Sequence, residues 1–110
     1  MSSRKTVAVV LLEFEASWLA LARERRREHA DAIARILARH PDVAVRWFDA
    51  DALGRGYTDF VVCEFDDLMR YHFLWEELRD HEVFSHPYVR LKDVHLGLER
   101  GYEAYEAQAG

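Results

Sequence analysis

Cysteine is nearly absent from this chain of 110 residues. The single copy, Cys63, excludes a disulfide framework or a thiolate metal cage within one chain. It lies in an apolar run with no neighbour that would lower its pKa, so it reads as a small core residue and not as a nucleophile. An excess of positive charge is also missing: 15 Lys and Arg stand against 20 Asp and Glu, for a formal net charge of −5. A nucleic-acid or anionic-membrane binder needs a basic stripe to meet phosphates. The one basic run, Arg23 to Arg27, is broken by Glu24 and flanked by Glu28, and at helical spacing it reads as a solvated face. No apolar run is long enough to span a bilayer, and no N-terminal segment has the pattern of a cleaved leader. The expectation is a cytoplasmic protein with neither nucleic acid nor membrane as partner. Glycines are few, and Gly54 and Gly56 fit neither GxGxxG nor GxxxxGK, because their turn feeds a strand. No nucleophile elbow or Ser/His/Asp order is visible. Nucleotide cofactors and hydrolytic triads are disfavoured, and no cofactor is expected.

What the chain does have is regular patterning. Half of it is hydrophobic, enough for the core of one domain spanning residues 1–110. Residues 5–14 are a nearly continuous apolar, β-branched run, which predicts a central strand buried on both faces. Ser17 is a candidate helix cap. From Arg23 to His40, Ala30, Ile33, Ile36 and Leu37 recur at helical spacing, and Pro41 stops the helix. Val43–Ala50 and Tyr57–Phe65 read as a hairpin around the turn at Leu53 to Gly56. Asp66 and Asp67 then cap a second helix with Leu68, Tyr71, Trp75 and Leu78 on one face. Glu82 to Tyr88 reads as irregular, with Pro87 against a clean helix. Val89 to Leu98 is the last strand, and the tail from Gly101 a short helical arm.

The order strand–helix–strand–strand–helix–strand, with right-handed crossovers, predicts an α+β, ferredoxin-like βαββαβ fold. Its four-stranded antiparallel sheet would carry both helices on one face. The other face needs a cover, and a second copy of the same sheet is the simplest one. That gives a homodimer with stacked sheets, a dimeric α+β barrel.

A set of residues along the chain carries a family likeness. It comprises Arg46-Trp47-Phe48-Asp49-Ala50-Asp51, then Asp59, Phe65-Asp66-Asp67, Tyr71, Leu78-Arg79-Asp80, Phe84 and Tyr88. Trp18-Leu19-Ala20-Leu21 with Arg23 and Arg26 adds to it near the start. The pattern resembles the darcynin family of small bacterial proteins, from the first strand to the tail. The resemblance implies a relative of the dimeric α+β barrel. By analogy it sets the chain near small cofactor-free monooxygenases, isomerases and cyclases of that architecture. His72, His81, His86 and His95 depart from the family pattern.

Several residues are candidates for chemistry. Arg46 is a lone cation in an apolar strand. It either pairs with Asp59 or Glu64 across the hairpin or anchors a substrate carboxylate or enolate. Asp59 and Glu64 lie on opposite faces of one strand, so only one can face the helices. A buried carboxylate there would have a raised pKa and suit proton transfer. His72 lies one helical turn from Glu76 and is a candidate general acid or base. His29 flanks the first helix's apolar stripe and reads as structural. No pair of histidines has metal-ligand spacing, so no metal site is assigned.

These readings converge on a small cofactor-independent enzyme of bacterial specialised or catabolic metabolism. It would act by proton-transfer chemistry, as an isomerase, cyclase or monooxygenase, on an apolar or aromatic small molecule. Arg46, Asp59, Glu64 and His72 are the catalytic candidates. Trp47, Tyr71, Trp75, Arg79, His86 and Tyr88 are the substrate-binding candidates. The alternative is a non-catalytic small-molecule-binding or assembly module; a second is a His/carboxylate metal enzyme.

Overall fold

The computed structural model describes residues 5–109. Strand β1 (Thr6–Phe14) is followed by a short helix α1 (Ala16–Leu19) and a long helix α2 (Arg23–Ala38). Strands β2 (Val43–Asp49) and β3 (Asp59–Phe65) come next, then α3 (Leu68–Asp80) and the one-turn α4 (Glu82–Ser85). Strand β4 (Val89–Leu98) and helix α5 (Gly101–Ala109) complete the described chain. The sheet order is β2-β3-β1-β4, and every neighbouring pair is antiparallel. This is the α+β, ferredoxin-like arrangement that the element order predicts.

The apolar run of β1 divides between two faces. Ala8, Val10 and Leu12 are fully buried beneath the helices, while Val7, Val9 and Leu11 are half-buried on the opposite, open face. From β3, Val61, Cys63 and Phe65 join the helix side. Helix α2 contributes His29, Ile33 and Ile36 to that core, and α3 contributes Leu74, Trp75 and Leu78. Tyr71 stacks on Phe65 at 4.7 Å between ring centres, and Trp75 meets Phe84 edge-on at 5.8 Å.

Some local expectations need correcting. Ser17 lies inside α1 and caps nothing; the residues before α1 and α2, Glu15 and Ala22, make no side-chain cap bond. Leu68 is 56% exposed, because the buried stripe of α3 begins further on and includes Leu74 instead. The segment after α3 is not wholly irregular. His81 caps α4 by accepting the Val83 N–H at its Nδ1 (3.1 Å). The Asp67 cap of α3 stands, with its carboxylate accepting the Met69 N–H at 2.9 Å. Gly56 turns the hairpin at φ 80°, where a side chain would be strained. No described helix is long and apolar enough to cross a membrane.

Trp75 is 7% exposed and locks α3 onto the sheet. Trp75→Ala should therefore cost about 3–5 kcal/mol in a urea unfolding titration. A loss below about 1 kcal/mol would remove it from the core.

Candidate functional site

The hairpin register decides which side chains meet. Arg46 lies opposite Val62, Trp47 opposite Val61, and Asp49 opposite Asp59. Trp47, Asp49, Asp59 and Val61 thus share the face beneath the helices, and Arg46, Phe48, Phe60, Val62 and Glu64 share the open face. A solvent-open cleft of about 570 Å³ runs between that inner face and the helical layer. Phe14, Trp47, Asp49, Thr58 and Asp59 form its sheet wall, with Asp51 just beyond β2. Trp18 and Leu19 of α1 line it, as do His29, Ala30, Ile33, Ala34 and Leu37 of α2 and Val83 of α4.

Asp59 is the most constrained polar group of the sheet wall. It is 7% exposed, accepts the Trp47 indole N–H at 3.0 Å and accepts the Thr58 hydroxyl at 2.8 Å. Burial raises its pKa above the ordinary aspartate value, and the neighbouring Asp49 carboxyl adds to the rise. The bonds from Thr58 and Trp47 offset part of that. On the helical wall, His29 is 3% exposed and ringed by aromatics. Trp18, Tyr88 and His81 have ring centres at 5.8, 5.5 and 5.7 Å. Its Nε2 is buried without a hydrogen-bond partner. Burial, and then the proximity of His29, lowers the pKa of His81.

The cleft gathers only some of the residues singled out in the sequence. Trp47 and Asp59 line it, and Tyr88 packs behind His29 while stacking on His86 at 4.0 Å. Arg46 pairs with Glu64 at 3.3 Å on the open face and sits 5.8 Å from the centre of the Phe48 ring. His72 is exposed on α3 beside Glu76 at 3.5 Å. Arg79 lines a separate depression with Glu76, Phe84 and Arg90. Tyr71 and Trp75 belong to the core. Burial pushes the Tyr71 hydroxyl up to about 12 and the Cys63 thiol to about 11, so both stay protonated at neutral pH. Among the described residues no cluster of three or more His, Cys, Asp or Glu could hold a metal ion.

The sequence reading passed over His29, Phe14, Trp18 and Thr58 as parts of a site. His29 carried a usable signal. It lies four and seven residues before Ile33 and Ile36, within the apolar stripe and not beside it.

Residues 2–109 match the family model described as darcynin, a domain of unknown function. The chain belongs to the darcynin family. Darcynin 1 of Acinetobacter baumannii is 36% identical over 90 residues, covering 81% of this chain and 100% of the relative. The darcynin of Chromobacterium violaceum is 34% identical over 73 residues, covering 66% of this chain and 92% of the relative. Solved structures also resemble this darcynin. A heme-binding protein from Thermus thermophilus superposes with a TM-score of 0.84 at 17% identity, over 97% of this chain and 44% of that one. A mutant chlorite dismutase from Candidatus Nitrospira defluvii gives 0.79 at 8% identity, over 90% of this chain and 42% of that one. The darcynin chain thus spans less than half the length of these structures, and at such identities the likeness is one of fold. It nevertheless corrects one expectation. The solved neighbours of the fold are chlorite dismutases and a heme-binding protein, and they overturn the reading as a cofactor-independent enzyme.

The raised pKa of Asp59 has a consequence for stability. A carboxyl that holds its proton more tightly when folded lowers stability as pH rises from its unfolded value, 3.8, through its folded one. Asp59→Asn removes that penalty. Its stability relative to the native protein should therefore improve as the pH is raised from about 4 upward in parallel urea titrations. A difference that stays constant over that range would mean that burial does not hold the proton on Asp59.

Proposed function

We propose that this darcynin is a small-molecule-binding module whose ligand lies in the cleft between α1, α2 and the sheet. The observation that carries this reading is the pairing of an apolar, solvent-open cleft with a buried imidazole whose Nε2 has no partner. A buried polar atom without a partner costs about 1–3 kcal/mol, and a ligand would recover that. Ligand clefts of about 300–1,000 Å³, mostly apolar with a few polar groups, are the common form of such sites. A cytoplasmic location belongs to the same reading.

Heme, bound by the Thermus thermophilus neighbour, is the first ligand to weigh. His29 is the one cleft group that would suit its iron. The rest of the lining does not fit it. Heme carries two carboxylates, whereas the cleft presents Asp49, Asp51 and Asp59 and has neither Lys nor Arg among its lining residues. A neutral, flat, apolar molecule meets no such conflict. Nile red is therefore the probe of choice, and its emission should rise on titration with the native protein. Ala34→Trp, at an exposed position of α2 on the cleft wall, should weaken the binding at least tenfold while the fold's melting temperature holds. Equal binding by this variant would overturn the cleft as the ligand site.

The homodimer belongs to the same proposal. Val7, Val9, Leu11, Phe60 and Val62 leave the open face apolar, and a second sheet would cover it. Sedimentation at micromolar concentration should give a dimer, and Val9→Glu should give a folded monomer. A native protein that sediments as a monomer would remove this part of the reading.

A further inference from the structure

We propose that the cleft selects its ligand by charge: it takes a flat apolar body that ends in a positively charged amine and rejects the same body ending in a carboxylate. The inference rests on the cleft being a ligand site and goes on to name the ligand class.

The sheet end of the cleft is acidic and unbalanced. Asp49 and Asp59 face each other directly across the β2–β3 ladder, and Asp51 follows at the same rim. Several carboxylates elsewhere in the molecule meet cations, as in Lys5–Asp66, Arg25–Glu82 and Lys92–Glu13. Among the described residues no Lys or Arg pairs with Asp49, Asp51 or Asp59, and none lines the cleft. An ammonium group entering there would supply the missing countercharge. The indole of Trp47, bonded to Asp59, offers it an aromatic face as well.

A second observation points to a ligand independently. His29 lies on the helical wall of the same cleft, and its Nε2 has no partner. Trp18, Ile33, Leu37 and Trp47 give the same cleft apolar surface, enough to hold an aromatic body. Among the described residues that line the cleft, the titratable groups are the three acids from the strand side and His29 from α2. The burial that raises the pKa of Asp59 agrees with an acid end short of countercharge. The same acids account for the misfit of heme's carboxylates.

The test uses two probes with one body and opposite ends, tryptamine and indole-3-propionate, titrated by calorimetry into the native protein. Tryptamine should bind at least tenfold more tightly, and the gap should narrow in about 1 M salt, where the screening length falls to about 3 Å. The double variant Asp49→Asn, Asp51→Asn changes two exposed residues and should bring the two probes within about threefold. It should also take up hemin more readily than the native protein. Equal affinities in the native protein, or failure of both indoles while Nile red still binds, would overturn charge selection and leave the cleft standing. Failure of Nile red as well would bring down the cleft reading with it.

Discussion

The structure turns on the strand β1, which is paired on both sides. It hydrogen-bonds to β3 along one edge and β4 along the other, and it places Ala8, Val10 and Leu12 where no water reaches. Burying apolar surface is worth about 25 cal/mol per Å², and these positions, with those of β3 beside them, collect the core stripes of α2 and α3. The same strand positions the cleft. At its end, Thr58 N–H donates to the Leu12 carbonyl at 2.8 Å, and the Thr58 hydroxyl accepts the Phe14 N–H at 2.9 Å. That hydroxyl donates in turn to Asp59. A chain of three hydrogen-bonding groups thus ties the innermost strand to the most buried acid of the site.

The features readable in advance were those set by period and chemistry along one segment. The apolar run of β1, the helical spacing of Ile33 and Ile36, and the Asp67 cap each rest on contacts within about a turn or on strand alternation. Asp59 was readable as a candidate because a carboxylate between apolar strand residues must be handled in some special way. Whether it or Glu64 faced the helices depended on the hairpin register, which lies in the loop from Ala50 to Thr58 and not in either strand. Arg46 shows the same limit: its partner is Glu64 because Arg46 sits opposite Val62, two residues away along β3. The importance of His29 was harder to see. Its neighbours Trp18, His81 and Tyr88 come from three distant segments, and no local pattern announces that they converge.

The charge of the cleft is set apart from the strand that organises the fold. The gap between helix and sheet carries an imidazole, His29, on its helical side. In this chain the opposite wall is acidic. Changing a few side chains on β2 and β3 alters the electrostatic character of such a gap without touching β1, because Trp47, Asp49 and Asp59 hang from strands whose backbone bonds are satisfied by the ladder. Fold and cleft charge are therefore set by different residues.

The outer strand β4 is the longest in the sheet and leaves one edge free. Such an edge is a template on which further chains could stack into fibres. Here it is broken by an irregularity opposite Leu11 and Leu12, and it carries Arg90, Lys92, Asp93 and His95 along its length. Arg90 and Lys92 are held by Glu15 and Glu13 at the end of the adjoining strand β1. A flat approach by a second strand would meet both the kink and these charges. The β4 edge is thereby poorly suited to growing a continuous sheet, and the apolar strand beside it is shielded on that side from pairing with another molecule.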